Sequence, residues 1–526
     1  MNRRTILRAA TLASLTGAFA PPPFVLPPEW GGRRGASGGQ WARGNGIMAG
    51  QSSPIPAEAI AELTIDLVTE PPTLDPAVSY QADAWSVVHS IYDSLLQYAP
   101  DGILEPLLAE RFELLDPLTY EVVLRPGITF HDGTPLEVSA ITTAVARIVD
   151  PATASQIADL FKVIERVEEI DPLTARLRLS QPAPWLPAQI AAWLALVPPG
   201  VSDPANAPIG TGPYRFVEWR RGAAIVVEAN PTYFAASPKG QPIARRVVFR
   251  FVPEGTTRVA DLLSGTAGLI RNVPLDQIEA VTGEGAQVRT QPISGSAWIR
   301  IPTDVAPFDD VRVRQALNYA VDVDAIVAAL LGGEGRRLAG LFPEGSLGFD
   351  PALAPFPFDP ERARTLLTEA GYPDGFETRL AYAGAEQEAV VTALGGQLAD
   401  VGVRAATEAV ETATFNATWK DPKSAPLRFV TWRPLFDPYT LLNLLISEAG
   451  FLSRHANPTA QPLIAAAAVE ANAEARAGIY RQLNQVLRDE PAAIYLYNLT
   501  AQYGLAADTP PWTPRPDDYI IPTFRG

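Results

Sequence analysis

A histidine beside an aspartate, His131-Asp132, is the first place where side chains suited to acid–base chemistry stand together. The neighbours decide what the pair is. In "TYEVVLRPGITF" Tyr120, Val122 and Leu124 alternate, the run breaks at Arg125-Pro126-Gly127, and Ile128 and Phe130 resume it. Asp132-Gly133 is a turn dipeptide, and Ile141, Val145 and Ile148 then follow at helical spacing. His131 is therefore expected at a structural corner between strand and helix. His89 shares a helix face with Trp85 and Tyr92 and reads as a packed core histidine. His455 stands far from both, no H-E-x-x-H motif exists and there is no cysteine, so no built-in zinc or other cofactor is expected. Gly35-Ala36-Ser37-Gly38-Gly39 has the form of a nucleophile elbow, but no strand precedes it and no helix follows. Gly44-Asn45-Gly46 fails as a dinucleotide loop for the same reason, and no Walker A loop is present. No catalytic constellation emerges, and an enzyme is not expected.

The totals bound the possibilities. With 526 residues, two or three domains are the prior. A formal charge of −16 argues against a nucleic-acid partner, because that binding runs on clustered Lys and Arg. Residues 1–20 carry Arg3-Arg4 ahead of an apolar, Ala-rich run and read as a twin-arginine-like export signal. A true start at Met48 is the alternative. Residues 21–56, rich in Gly, Pro and Arg, read as a disordered lead-in. No later run reaches the ~18–20 apolar residues of a membrane helix, so a soluble exported protein without a lipid-bearing N-terminal cysteine is expected.

The elements that must position any site alternate along the chain. Residues 61–76 read as a strand running into a double proline; 210–234 as a hairpin; 255–265 as a helix closed by Gly265. Helices follow in 306–333, capped by Asp309 or Asp310 and by Asp322, and in 358–376, capped by Asp359 with Pro360 in the first turn. A strand at 428–432, a helix over 470–488 and a strand at 492–498 complete an α/β reading.

Six fragments carry a resemblance: "PLLAERFELLDPLTYEVVLRPGITFHDGTP", "PIGTGPYRFVEW", "EANPTYF", "TTRVADLLSG", "PFDDVRVRQALNYAVD" and "FDPERARTLLTEAGYPDGF". From about residue 62 onward the chain resembles the extracytoplasmic solute-binding proteins that serve peptide and nickel ABC transporters. The resemblance implies an α/β, two-lobed periplasmic binding protein (type II-like, cluster C), with an extra smaller domain and a ligand cleft between the lobes. Mapped here, lobe I takes 57–83, 184–300 and 489–526, the extra domain 84–183, and lobe II 301–488. It also implies a periplasmic, monomeric receptor that takes a small-molecule ligand to ABC permease subunits in the membrane. A secreted hydrolase of unfamiliar type and a peptide-holding chaperone are the competing readings.

The loop "TWRPLFDPYTLL" (431–442) bears on the ligand. In peptide-binding relatives an acid three positions past the Trp pairs with the peptide amine, and here that position is Leu435. A charged amine in a closed cleft must be paired, so the missing acid weighs against ordinary peptides. Trp432 and Phe436 correspond to the aromatic pair of nickel-chelate binders. The arginine that reads the chelator in those proteins has no counterpart between Leu179 and Tyr214, and Trp193 stands about where it belongs. Arg433 is the candidate for holding a ligand carboxylate, its alternative being a solvated loop arginine. Tyr80 and Gln81 are further cleft candidates by the same correspondence. Asp437 is expected to cap the next helix, with Pro438 in its first turn.

Overall fold

The computed structural model describes residues 59–78, 82–433, 437–450 and 452–525. The export-signal and lead-in readings of 1–20 and 21–56 fall outside them. Ile60–Leu67, whose Leu63, Ile65 and Leu67 are buried, lies parallel to both Ala244–Phe251 and Leu269–Arg271. Parallel strands require crossover connections, which explains why helices such as Gly255–Leu263 alternate with them.

The main sheet has ten strands in the order Val403–Ala409, Phe376–Tyr382, Leu427–Trp432, Gln287–Arg300, Ala493–Leu505, Leu269–Arg271, Ile60–Leu67, Ala244–Phe251, Ala224–Ala229, Tyr214–Arg220. Its middle is the long antiparallel pair Gln287–Arg300 and Ala493–Leu505. Register breaks between Pro292 and Ser296. Before the break, the pair lies next to Leu269–Arg271; after it, next to Leu427–Trp432. The packing divides in the same place. One core gathers residues from Leu63 to Ile293 together with Ala501 to Ile521, while two further cores draw only on residues between Ala297 and Tyr497. Two bodies thus share one sheet and meet at an irregular seam.

A separate four-stranded antiparallel sheet, Ala109–Asp116, Thr119–Leu124, Thr174–Leu179 and Ile164–Asp171, carries the helix Val138–Val149 and packs into the first core. Of the expected helix caps, Asp310 rather than Asp309 serves the first helix, and Asp322 and Asp359 serve theirs: each side chain accepts a backbone N–H at the start of its helix. Asp83 lies in the first turn of Ala82–Ile91, and its carboxylate accepts from Thr69 N and Oγ1 at 2.8 and 2.9 Å and pairs with Arg271 at 3.0 Å.

Candidate functional site

His131 sits at the expected corner. Gly210 N donates to its Nδ1 (3.3 Å), which leaves Nε2 as the donor to Gly212 O (3.0 Å). Burial, slightly opposed by the Gly212 hydrogen bond, lowers its pKa to about 4, so the ring is a neutral structural bridge. His89 is buried against Trp85 and Tyr519, with ring centroids 4.9 and 5.0 Å away. His455 is buried with neither ring nitrogen hydrogen-bonded among the described residues. Among the described residues no group of three His, Asp or Glu comes together as metal ligands, and no helix is long and apolar enough to cross a membrane.

The seam between the bodies carries two of the candidate cleft residues, Trp432 and Arg433. Trp432 ends its strand opposite Ser296, half-buried against the third core. Gly295, in the register break, passes directly beneath. A Cβ there would lie 2.9 Å from both the Arg433 Cβ and the Trp432 carbonyl, so only glycine lets the strands approach. Arg433 emerges next and reaches into the other body, its Nη1 2.7 Å from Asp518 Oδ2. Its side chain is 36% exposed and that of Asp518 is fully buried.

Asp518 is the hub of an alternating chain of charge. Arg271 lies between Asp518 and Asp83, and the Tyr503 hydroxyl donates to Asp518 Oδ1 at 2.6 Å. Burial pushes the Asp518 carboxyl up, but Arg271, Arg433 and the Tyr503 hydroxyl overcome it and hold the group below the ordinary range. The carboxylate is ionised and already well supplied with donors.

Contrary to the expected cap at Asp437 with Pro438 in the first turn, Pro438 is itself the N-cap; Asp437, one residue earlier, accepts from Tyr439 N at 2.9 Å and does more besides. Arg476 grips it in a bidentate pair at 2.6 and 2.8 Å, and donates onward to Tyr480 Oη at 2.8 Å. Both side chains are buried. The acid of this loop is thus consumed inside its own lobe and is not free to meet a ligand amine. Beyond Pro438 the chain makes one α-turn, Tyr439–Leu441, then a π-helical stretch, Leu442–Ile446, of the kind often found beside functional sites.

The same turn crosses to the first body. The Tyr439 ring stacks on Trp185 at 3.8 Å between centroids and 4° between planes, and Thr440 Oγ1 donates to Gln189 Oε1 at 3.1 Å. Trp193, on the same helix as Gln189, is buried with its ring edge on Trp85 at 5.0 Å, so it offers little surface to a solute. The structure brings Trp432 and Arg433 to the seam and leaves Trp193 inside the first core. Tyr80, Gln81 and Phe436 lie outside the described residues. Sequence reasoning missed Asp518, Arg476 and the Trp185–Tyr439 pair. The one signal available was the pair Asp517-Asp518 amid the apolar C-terminal run ending "DDYIIP", where unpaired acids would be costly.

Comparisons with known proteins agree with this architecture. Residues 104–452 match the family model described as bacterial extracellular solute-binding proteins, family 5, middle. A glutathione-binding protein from Pectobacterium atrosepticum is 30% identical over 383 residues, covering 71% of this chain and 73% of its own length. Among solved structures, the binding protein AgaA from A. tumefaciens R10, in complex with agropinic acid, superposes with a TM-score of 0.76 at 26% identity, over 88% of this chain and 97% of that one. The ABC transporter-associated periplasmic binding protein DppA from Helicobacter pylori, solved with a peptide, shares the fold at a TM-score of 0.78 and 20% identity, over 89% of this chain and 98% of that one. By its family match and its likeness to the glutathione-binding protein, the chain is a member of the bacterial extracellular solute-binding proteins of family 5, which serve ABC importers.

Proposed function

We propose that this receptor works in the periplasm as a monomer, holds a small carboxylate-bearing organic solute beside Trp432 and Arg433, and delivers it to permease subunits. The observation that carries the solute class is the fate of the loop's charges. Asp437 is sealed by Arg476, whereas the Arg433 side chain stays 36% exposed, with Asp518 on Nη1. A cation with free N–H donors suits a carboxylate, and an unpaired ammonium in the same place would lack a partner. Trp432 supplies a ring on which an organic body can stack. Glutathione and agropinic acid, named for the relatives, are both carboxylate-bearing. The hinge lies at residues 293–295 and near Leu499, with lobe II between them and lobe I on either side. A net charge of −16 supports the absence of a nucleic-acid partner.

Thermal melting with glutathione, sugar–amino-acid conjugates, short peptides and nickel–histidine tests the reading, because a ligand of the folded state raises the melting temperature. The expected result is a rise with carboxylate-bearing solutes that survives N-acetylation and disappears in Arg433→Ala. A stronger response to amines lacking a carboxylate would sink the solute class. No response to any solute class would sink the receptor reading.

A further inference from the structure

We propose that Trp185 and Tyr439, supported by Gln189 and Thr440, form a clamp that acts on lobe closure without touching the solute. They are positioning residues: they set how much of the protein holds its two cleft walls together, and so scale the apparent affinity for whatever is bound. The proposal rests on the two-lobed architecture and on the receptor reading only in that a solute is held between the lobes.

Tyr439 belongs to the stretch that builds the second and third cores, yet its ring packs against the first. Among the described half-buried apolar residues on that first core, it alone comes from between Ala297 and Tyr497. Its partner Trp185 is 1% exposed and fixed just before the helix Leu186–Trp193. The Trp185 indole nitrogen has no hydrogen-bond partner among the described residues, so the face-to-face stack is an apolar contact. The neighbouring Thr440–Gln189 hydrogen bond joins the same two bodies and gives the stack a fixed direction. Tyr439 is itself held from behind. Its backbone N–H donates to Asp437, which the buried Arg476 locks in place. A rigid knob on one lobe therefore meets a rigid plate on the other.

The consequence is a population effect. A solute that needs both walls binds only the closed form, and its apparent dissociation constant is the intrinsic one divided by the closed fraction. Arg433–Asp518 also crosses between the lobes, but it lies against the register break at Gly295, where a rotation about the hinge moves atoms least. The stack therefore has more leverage on closure.

The test is small-angle scattering on exhaustively dialysed protein, with Tyr439→Ala and Tyr439→Phe beside the parent. Removing the ring is expected to lower the closed-to-open ratio on the order of tenfold, the scale of a buried aromatic pair, and to enlarge the radius of gyration. Tyr439→Phe keeps the stack and should restore the parent value. Hydrogen exchange at 437–442 should rise in the Ala variant, while its melting temperature stays within a few degrees of the parent. An Ala variant with parental scattering and parental exchange overturns the clamp. So does a Phe variant that scatters like Ala. None of these measurements needs a solute, so a failure of every solute to raise the melting temperature would count against the receptor reading alone.

Discussion

The two lobes bury charge in different proportions. In the first, Lys239 pairs with Asp93 and Arg271 joins Asp83 to Asp518 across distant segments, while Arg258 rests on backbone carbonyls. In the second, Arg300, Arg428 and Arg314 rest on backbone carbonyls, with Asp437–Arg476 as the exception. Arg300 and Arg428 stand opposite each other in neighbouring strands, and their guanidinium groups lie 5.4 and 5.2 Å from the centre of the Trp419 ring. They hold the carbonyls of Phe415, Thr418 and Trp419 at the end of the short helix Thr412–Ala417, where the backbone dipole favours cations, and that of Pro426 just ahead of the strand Leu427–Trp432. The difference follows chain continuity. The first lobe is assembled from separated stretches, and side-chain ion pairs tie them together; the second is one stretch, and its arginines staple a loop to the sheet.

The largest test of that contrast is Asp93→Ala, which leaves the Lys239 ammonium buried with only the His89 and Tyr92 carbonyls. Breaking a buried pair from one side should cost about 3–5 kcal/mol in denaturant unfolding. The double replacement Asp93→Leu/Lys239→Met should recover most of it.

Acid comes next. His131 and His455 both have folded pKa values near 4, depressed from 6.5 mainly by burial. Folding therefore favours their neutral form. The stability they contribute is complete above pH 6.5 and is lost progressively as pH falls toward 4, by about 3 kcal/mol for each ring. Unfolding followed from pH 7 to 4 should show this loss. His455→Leu should reduce it with little cost at pH 7, because the His455 ring has no hydrogen-bond partner among the described residues to strand. His131→Leu should cost stability at pH 7 by orphaning Gly210 N and leaving Gly212 O to Asn230 Nδ2 alone.

Arg428→Met is smaller: the carbonyls of Phe415 and Thr418 lose a donor, at about 1–3 kcal/mol. A loss as large as that of Asp93→Ala would erase the contrast between the lobes. Smallest is Thr440→Val, which removes the hydrogen bond to Gln189. It should leave unfolding unchanged and shift scattering slightly toward the open form.

Much of this was legible from local pattern. Leu63, Ile65 and Leu67 announced a strand, Asp310, Asp322 and Asp359 announced helix starts, and Asp132-Gly133 announced the corner at His131. The long strand Gln287–Arg300 escaped notice because Pro292 and Gly295 interrupt its alternation, and those two residues sit at the register break. The strand at 492–498 was recognised but continues to Leu505, since its second half is buried in the first lobe and reads as unrelated sequence. For the site, Trp432 and Arg433 could be named from the chain. Their surroundings could not: Asp518 stands far along the sequence from both Arg433 and Arg271.

What the amino-acid order determined by itself is therefore what is set within a few residues: the elements, most of the caps and the corner. Folding alone decided which charges meet, that Asp437 is spent on Arg476 while Arg433 crosses to Asp518, and that Tyr439 lies flat on Trp185. Local structure depends on backbone geometry and nearest neighbours, whereas electrostatic pairing and ring stacking act between atoms that only the packed lobes bring within 4 Å.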